Sequence, residues 1–266
     1  MASLKPIPRI MTVSEKSWIT PNMIRVTCTA DWIKTLGAGI EGAHFKLFLP
    51  DDDQSATDFI EQLENGPRPA VRTYTIRHLR VDRGEMDIDF VDHGDAGPAS
   101  AWARRCGAGD FAGFAGPGPV KLKSYFADIY IVAADMSALP VATATLEAMP
   151  RDAKGVAYFE IISPDDKQDI AAPEGINIHW LIHPDPHEPM IQSIELIRAL
   201  PNLKGQVQTC IAGESSMIKA LKEEIVNNRG LPKRNAYISG YWKIGLVEDE
   251  HQQVKRGRSC RVNEQV

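Results

Sequence analysis

Cysteine is scarce in this chain of 266 residues, and its cysteines are widely separated. The four thiols belong to Cys28, Cys106, Cys210 and Cys260, and no two of them form a Cys-x-x-Cys pair. Zinc ribbons and iron–sulfur clusters are usually built on such pairs, so the spacing argues against both, and against a small secreted fold held by disulfides. We interpret the cysteines as reduced thiols of a cytoplasmic protein.

Long apolar runs and an excess of basic residues are also absent. No stretch approaches the ~18 uninterrupted apolar residues of a membrane helix, and residues 1–16 contain no apolar segment typical of a signal peptide. The 30 Lys and Arg residues are outnumbered by 35 Asp and Glu residues, which gives a formal net charge of −5. We therefore expect a soluble protein that binds neither a membrane nor nucleic acid, and whose anionic ligands meet local cationic groups.

The first half of the chain has the period of β-strands. From residue 9 to residue 123 apolar residues mostly alternate with polar ones, as in residues 24–28, Ile-Arg-Val-Thr-Cys. This alternation is typical of short half-buried strands and predicts an antiparallel β-barrel or sandwich. A short helix is expected over residues 99–106, because Gly-Pro precedes it and a glycine follows it.

The second half of the chain alternates strands with helices. Apolar strands are expected at 126–134, 155–162, 176–181, 206–212 and 235–239. Helical spacing of apolar residues between them implies a parallel sheet with helices on its faces, as in nucleotide-binding α/β domains. The predicted organisation is a β-barrel domain over residues 1–123, an α/β domain over residues 124–245 and a basic extension over residues 246–266.

The first candidate site lies in residues 72–77, Arg-Thr-Tyr-Thr-Ile-Arg. In a strand Arg72 and Tyr74 share one face, so a guanidinium that can bind phosphate lies beside an aromatic plane and a hydroxyl. A flavin dinucleotide needs this combination. Alternation turns the Thr75 side chain the other way, so its backbone, or a strand end there, would contact the flavin edge. An ordinary amphipathic strand with a snorkelling arginine is the alternative.

The second candidate site lies in residues 93–103, His-Gly-Asp-Ala-Gly-Pro-Ala-Ser-Ala-Trp-Ala. Small residues let the backbone approach a ligand closely, and the N–H groups at the start of the following helix can bind an anion. The alternative is a Gly-Pro turn that caps a structural helix.

The order of these two motifs resembles that of the siderophore-interacting protein family, the flavin-dependent ferric-siderophore reductases related to ferredoxin–NADP reductases. Residues 134–140, Ala-Asp-Met-Ser-Ala-Leu-Pro, are similar to the family's Ala-Asp-Glu-Thr-Ala-Leu-Pro. Residues 240–245, Gly-Tyr-Trp-Lys-Ile-Gly, are similar to its Gly-Tyr-Trp-Arg-x-Gly. The resemblance spans nearly the whole chain and implies an FAD-dependent enzyme that reduces siderophore-bound Fe(III) and so releases iron in the cytoplasm.

The resemblance also implies which residues bind FAD. They are Arg72, Thr73, Tyr74, Thr75, His93, Asp95, Gly97, Pro98, Ala99 and Ser100, with Trp242 as a candidate cover for the flavin. Ala99 and Ser100 would hold the pyrophosphate at the helix start, whereas the contacts of His93 and Asp95 are not assigned. The alternative for Trp242 is that its ring packs into the C-terminal domain.

The α/β domain contains the candidate donor-binding residues Asp135, Ser137, Gly213 and Glu214. Ser137 is the expected N-cap of the first helix of this domain. Residues 212–217, Ala-Gly-Glu-Ser-Ser-Met, resemble the Cys-Gly-Pro-x-x-Met of the wider superfamily, in which the glycine admits the nicotinamide. The usual Gly-rich phosphate turn is missing, and Met136 replaces an acidic residue of the family. NADH or NADPH is therefore one candidate donor, and ferredoxin is the other.

Ferric siderophores are mostly anionic or bulky, so the substrate mouth should be locally basic. The candidate substrate-binding residues are Lys243, Lys255, Arg256 and Arg258, for which a solvated basic tail is the alternative. We predict no metal ligands, because prolines at 184 and 186 break the helix that would align the histidines at 179, 183 and 187. No catalytic side chain is predicted either, since the sequence shows no Ser/His/Asp or Cys/His constellation.

Two other functions are compatible with these features. One is a general NAD(P)H:flavin or carrier-protein reductase, for which Gly213 and Glu214 would matter more than the basic tail. The other is a module that binds a siderophore or flavin without turnover.

Overall fold

The computed structural model describes residues 8–95, 97–120, 122, 124–232 and 236–246, which belong to two compact units. Unit 1 consists of Met1–Lys123, Thr143–Ala148 and Asp165–Ile170, and unit 2 of Ser124–Ala142, Met149–Pro164 and Ala171–Val266. No helix in the described ranges is long and apolar enough to cross a bilayer. The division into domains at 1–123, 124–245 and 246–266 stays a prediction, and residues 247–266 lie outside the described ones.

Unit 1 contains seven antiparallel strands in one barrel-like sheet. They are β1 (Arg9–Thr20), β2 (Met23–Thr29), β3 (His44–Leu49), β4 (Ala70–Thr75), β5 (His78–Arg80), β6 (Glu85–Val91) and β7 (Phe111–Ala115), in the order β4-β3-β7-β1-β2-β6-β5. The period-two pattern is confirmed, because Ile24, Val26 and Cys28 are all buried in the core of this unit. The antiparallel barrel-like fold predicted for the first half is therefore confirmed.

Strand β7 is an element that the sequence analysis does not predict. It lies within a run of glycines that looks like a loop. Gly113 pairs with Phe48 of β3, and a Cβ atom at Gly113 would lie 3.0 Å from the Phe48 Cβ. The glycine therefore serves close packing between strands and does not form a turn.

In the described part of unit 1, two α-helices and the 3-10 helix Asp31–Thr35 lie between its strands. Helix α1 (Ala56–Asn65) begins after Ser55, whose hydroxyl accepts a hydrogen bond from the Asp58 N–H at 3.1 Å. Helix α2 (Pro98–Arg105) has Pro98 in its first turn, as the Gly-Pro signal predicts, and ends at Arg105, one residue before the expected end. The aromatic ring of Trp102 on α2 packs 5.7 Å from that of Phe90 on β6, so α2 is anchored on the core of unit 1.

Polar contacts attach the two later segments to unit 1. Arg77, just after β4, donates two hydrogen bonds of 2.7 Å to the Glu147 carboxylate. Asp166, which is fully buried, accepts hydrogen bonds from Thr20 and from both the backbone and the side chain of Asn22. Such a bidentate pair and a fully satisfied buried carboxylate explain why residues 143–148 and 165–170 belong to this unit.

Unit 2 is built on a parallel sheet with helices. Its strands are β8 (Ile129–Ala134), β9 (Lys154–Ile161), β10 (Gly175–Ile182), β11 (Val207–Glu214) and β12 (Ala236–Trp242), in the order β10-β9-β8-β11-β12. The helices are α3 (Leu139–Ala148), whose first residues belong to this unit, α4 (Gln192–Ala199) and α5 (Ser215–Lys222). Helices α4 and α5 share an apolar cluster with the sheet through Ile194, Ile197 and Leu221.

The α/β class predicted for the second half is confirmed, with one change of extent. Strand β12 continues to Trp242, three residues beyond the strand end expected at residue 239. Tyr241 and Trp242 are therefore strand residues, and β12 carries its aromatic end to the edge of the sheet where β11 also ends. All the strand pairs of this sheet are parallel, so their carboxyl ends lie at one edge.

Candidate functional site

The first candidate site is formed by the end of β4. Strand β4 pairs with β3 so that Arg72 lies opposite Leu47 and Tyr74 opposite Phe45, which puts Arg72 and Tyr74 on one face as predicted. The ring of Tyr74 packs at 4.4 Å from that of Phe90 and remains half-buried. The structure therefore holds the Tyr74 ring against the core while part of it stays accessible.

The two threonines of this segment differ in their surroundings. The Thr73 hydroxyl accepts a 2.5 Å hydrogen bond from the Lys46 ammonium, whereas Thr75 is the last residue of β4 and is only 5% exposed. The end of β4 at Thr75 is compatible with the expectation that the Thr75 backbone, or a strand end there, contacts the flavin edge. The half-buried Arg72 uses Nη1 to bond the Val71 carbonyl at 2.9 Å.

The second candidate site is the N-terminus of α2. Gly97 occupies the N-cap position and Pro98 follows it, and among the described residues no side-chain oxygen caps this helix. The first turn carries no acidic residue, and Ala99 and Ser100 are buried. The N–H groups at this end are thus directed at a position where an anion can accept them.

A hydrogen-bond network supports this helix end. The Ser100 hydroxyl accepts a 3.2 Å hydrogen bond from the His93 N–H and donates one of 3.3 Å to the Asp92 carboxylate. Arg104 donates 3.1 Å bonds to both oxygens of Asp92 and lies 3.2 Å from Asp95. Asp92 and Arg104 are residues that the sequence analysis misses, because only the fold brings them to Ser100.

Asp92 stays ionised in this network. Burial by itself raises the pKa of the Asp92 carboxyl, but the hydrogen bonds from the Gly94 N–H and the Arg104 guanidinium outweigh it and leave the pKa below its ordinary value. Gly97 has a steric role: a Cβ atom there would lie 2.5 Å from the His93 imidazole. His93 therefore lies against the backbone of the helix start, and a larger residue at 97 would displace its ring from this position.

The residues of unit 1 fit an FAD cofactor. Uncapped N–H groups at the start of α2 suit a pyrophosphate, Arg72 supplies a positive charge, and the half-buried Tyr74 ring is a flat surface for an isoalloxazine. The assignment of individual contacts to Arg72, Thr73, Tyr74, Thr75, His93, Asp95, Gly97, Pro98, Ala99 and Ser100 stays a prediction.

The candidate donor site is at the carboxyl edge of the unit 2 sheet. Asp135 follows β8, Glu214 ends β11 and Trp242 ends β12, so the parallel strands bring them together. The buried Asp135 carboxylate accepts hydrogen bonds from the Ser137 N–H (2.9 Å), the Ser137 hydroxyl (2.6 Å), the Ala138 N–H (3.2 Å) and the Trp242 indole N–H (2.7 Å). The backbone N–H of Glu214 bonds it as well.

The capping role expected of Ser137 is wrong. The oxygen that accepts the N–H groups of the turn before α3 belongs to Asp135, and the Ser137 hydroxyl donates to the same oxygen. The physical reason is that the Asp135 carboxylate, at the end of the strand, is close enough to accept two successive N–H groups of the following turn. Burial raises the pKa of Asp135, although the hydrogen bonds from Ser137 and Trp242 act in the opposite direction.

Glu214 has a similar position before α5. Its Oε2 accepts hydrogen bonds from the Ser216 N–H (2.6 Å) and the Met217 N–H (3.0 Å), and its Oε1 accepts one from the Ile244 N–H (3.3 Å). The preceding Gly213 has a φ of 147°, and a Cβ atom there would lie 2.6 Å from Oδ2 of Asp135. Glycine at 213 thus makes room for the Asp135 carboxylate, while its predicted contact with a nicotinamide stays a prediction.

The Trp242 side chain is fixed within unit 2. Besides its bond to Asp135, its carbonyl accepts a 2.7 Å hydrogen bond from the Ser215 hydroxyl. Gly240 leaves room for this contact, because a Cβ atom at that position would lie 2.5 Å from the Ser215 hydroxyl oxygen and would force it to shift. These contacts agree with the interpretation that the Trp242 ring packs into the C-terminal domain, and its role as a flavin cover stays a prediction.

Glu160 on β9 is a further acidic residue of this edge, and the sequence analysis misses it. It is 6% exposed, and its Oε1 accepts a 2.7 Å hydrogen bond from the Ser193 hydroxyl. Burial, together with the nearby charges of Asp135 and Glu214, raises its pKa to about 8. An acidic residue inside the apolar run Tyr-Phe-Glu-Ile-Ile was the signal that could have identified it.

The candidate substrate residues are only partly described. Lys243 follows β12, is half-buried and forms an isolated bridge with Leu246. Lys255, Arg256 and Arg258 lie outside the described residues. The basic substrate mouth therefore stays a prediction.

Comparison with known proteins identifies the family. Residues 12–121 match the family model of the siderophore-interacting FAD-binding domain, and residues 127–245 match that of the siderophore-interacting protein. The chain is 32% identical over 253 residues to the ferric vibriobactin reductase ViuB of Vibrio cholerae, a match that covers 92% of each protein.

Solved structures show the same fold. The crystal structure of the siderophore-interacting protein SipS from Aeromonas hydrophila matches with a TM-score of 0.82 and 29% identity, over 96% of this chain and 99% of that one. A ferredoxin–NADP reductase from Plasmodium falciparum matches in fold alone, with a TM-score of 0.64 and 12% identity over 90% and 99% of the two chains. Because the two family models together cover most of its length, the chain belongs to the siderophore-interacting protein family.

Proposed function

We propose that this protein is an FAD-dependent ferric-siderophore reductase that releases iron in the cytoplasm. The observation that carries the proposal is the uncapped N-terminus of α2 in a chain whose first part matches the family's FAD-binding domain. A relative of nearly the same length is named as the reductase of a ferric siderophore. The protein is accordingly a flavin-dependent oxidoreductase.

The chemistry requires little of the protein side chains. Bound FAD supplies a centre that takes up two electrons together and passes them on singly. Siderophores hold ferric iron with hard oxygen donors, which bind ferrous iron less tightly, so reduction is itself the release step. The residues of this chain bind and orient the reactants, and none is required as a nucleophile or a general base.

Each part of the site has a proposed task. Arg72 and the N–H groups at Ala99 and Ser100 hold the phosphates, and Tyr74 lies along the flavin ring. Thr73, Thr75, His93, Asp95, Gly97 and Pro98 shape the cradle, and Trp242 covers the flavin. Lys243, together with Lys255, Arg256 and Arg258, attracts the anionic ferric siderophore.

The electron donor has two candidates. NADH or NADPH is compatible with the ferredoxin–NADP reductase fold, and Asp135, Ser137, Gly213 and Glu214 lie where such a donor would approach unit 2. Reduced ferredoxin is the second candidate, because the Gly-rich phosphate turn is missing from this chain.

One absorbance experiment tests the proposal. Purified protein should be yellow, and its flavin should bleach anaerobically with NADH, NADPH or reduced ferredoxin and regain its colour when a ferric siderophore is added. Bleached protein that ignores ferric chelates would indicate a general reductase. Yellow protein that no donor reduces would indicate a binding module, and colourless protein that refuses FAD would refute the proposal.

A further inference from the structure

Two helix starts of unit 2, those of α3 and α5, differ from the start of α2 in unit 1. In parallel α/β sheets, nucleotide phosphates bind at helix N-termini along the carboxyl edge of the sheet. In unit 2 the N–H groups of two such helix starts already donate to carboxylates of the chain itself. Asp135 takes those at Ser137 and Ala138 before α3, and Glu214 takes those at Ser216 and Met217 in α5. Helix α2 of unit 1 and helix α4 of unit 2, by contrast, have no side-chain cap among the described residues.

Moving either carboxylate would break further hydrogen bonds besides those to the helix starts. The second oxygen of Asp135 is bound by the Trp242 indole, and the backbone at Gly213 lies so close that no side chain fits between them. The second oxygen of Glu214 accepts the Ile244 N–H. A phosphate that displaced either group would leave these partly buried donors without their present acceptors.

The same edge also disfavours phosphate through its charge. Glu214 and Asp135 are both buried, whereas the nearby Glu160, whose pKa is raised to about 8, is mostly protonated at neutral pH and adds little charge. The Ser193 hydroxyl is the only hydrogen-bond partner of the Glu160 carboxyl in the described part of the chain. A phosphate here would meet carboxylates in place of free N–H groups, and its repulsion by them is strong where water is excluded.

From this arrangement we infer that Asp135 and Glu214 are selectivity residues that keep dinucleotide phosphates away from the starts of α3 and α5. Their carboxylates occupy the N–H groups and the space that the phosphates of NADH or NADPH would use. The donor that unit 2 accepts is consequently one that presents no phosphate to these two helix starts, such as a one-electron carrier protein. The inference rests on the proposed function, since it concerns the donor of that reaction.

Binding of NADPH to the oxidised holoprotein tests the inference, with Glu214→Gln and Glu214→Ala as graded variants. Glutamine keeps an oxygen for the Ser216 and Met217 N–H groups but removes the charge, whereas alanine removes both. Glu195→Gln, at an exposed position of α4, is the control for a change of one charge. Calorimetric titration gives the affinities, and retention of FAD reports that each variant is folded.

The expected result is a wild-type protein that binds NADPH only in the millimolar range. Glu214→Gln should tighten binding roughly threefold and Glu214→Ala roughly tenfold or more, while Glu195→Gln changes it less than twofold. Micromolar binding by the wild type, or variants that fail to tighten it, would overturn the inference. If Glu214→Ala does not retain FAD, the NADPH affinities of Glu214→Gln and Glu195→Gln are compared instead, and equal affinities would overturn the inference.

A second measurement separates this inference from the proposed function. Wild-type protein that has been reduced by light, without any biological donor, is mixed anaerobically with a ferric tris-catecholate siderophore. Reoxidation of the flavin supports the reductase function whatever the NADPH titrations show. Failure of reoxidation refutes the function, and the selectivity of unit 2 against phosphate is still judged by the titrations.

Discussion

The indole N–H of Trp242 donates a 2.7 Å hydrogen bond to the buried carboxylate of Asp135, 107 residues earlier in the chain. This bond joins the end of β12 to the end of β8, with β11 lying between them in the sheet. The indole N–H binds Oδ2 of Asp135, whereas Oδ1 accepts the N–H groups of the turn before α3. The bond also fixes an aromatic side chain of the family's C-terminal motif at the carboxyl edge of unit 2.

Removal of the indole N–H should destabilise the protein. In Trp242→Phe one oxygen of Asp135 loses its donor at a buried position, so we expect a loss of about 1–3 kcal/mol in the free energy of unfolding. Chemical denaturation measures it. Trp18→Phe, at a side chain that is 50% exposed, is the matched control and should change stability by less than about 0.5 kcal/mol. Equal effects of the two substitutions would contradict the importance of the bond.

Arg72→Ala should weaken FAD binding. A guanidinium contact to phosphate is charge-assisted, and its loss costs about 1.5–3 kcal/mol, or roughly a 10–100-fold rise in the dissociation constant. Fluorescence titration of the apoprotein with FAD measures this. Arg83→Ala removes the same charge from an exposed position of unit 1 and should leave the constant nearly unchanged. Unaltered FAD retention in Arg72→Ala would remove Arg72 from the site.

Glu160 should make the stability depend on pH. Its pKa is about 8 in the folded protein against an ordinary value of 4.5, so between these values the folded state holds a proton that the unfolded state has lost. Stability is therefore fully present below the ordinary value and falls as the pH rises through about 8, by up to about 1.4 kcal/mol per pH unit.

The variant Glu160→Gln tests this dependence. Glutamine can still accept the Ser193 hydrogen bond but does not titrate, so its unfolding free energy should fall less between about pH 6 and about pH 8 than that of the wild type. Denaturant titrations at several pH values give the difference. Parallel curves for the two proteins would show that Glu160 does not carry the effect.

Gly213→Ala should lower the free energy of unfolding more than the same substitution at a glycine with free space around it. Its φ of 147° is unfavourable for alanine, and the new Cβ atom would meet Oδ2 of Asp135 at 2.6 Å. Gly230→Ala is the matched control, because φ there is also positive, at 67°, but no atom lies within 4 Å. We expect a loss of about 1 kcal/mol for Gly230→Ala and at least about 2 kcal/mol for Gly213→Ala. Equal melting temperatures would contradict this account.

Several features of the site follow from local sequence. The Gly-Pro start of α2 and the strand that carries Arg72 and Tyr74 were predictable, because backbone freedom and period two depend on neighbouring residues. Strand β7 was not predictable, because the role of Gly113 is its close contact with Phe48 on another strand, which the local sequence does not show. The cap on the turn before α3 was assigned to Ser137 instead of Asp135 for a related reason, since a capping preference does not show which oxygen reaches the N–H groups.

By itself, the sequence determined the antiparallel first half, the α/β second half and the motifs of the family. Only the tertiary structure decided that Asp135, Glu160, Glu214 and Trp242 meet at one edge of the sheet, and that carboxylates fill the starts of α3 and α5 there. The reason is that periods and turns are set by residues close in the chain. The pairing of parallel strands, in contrast, brings together residues that are far apart in it.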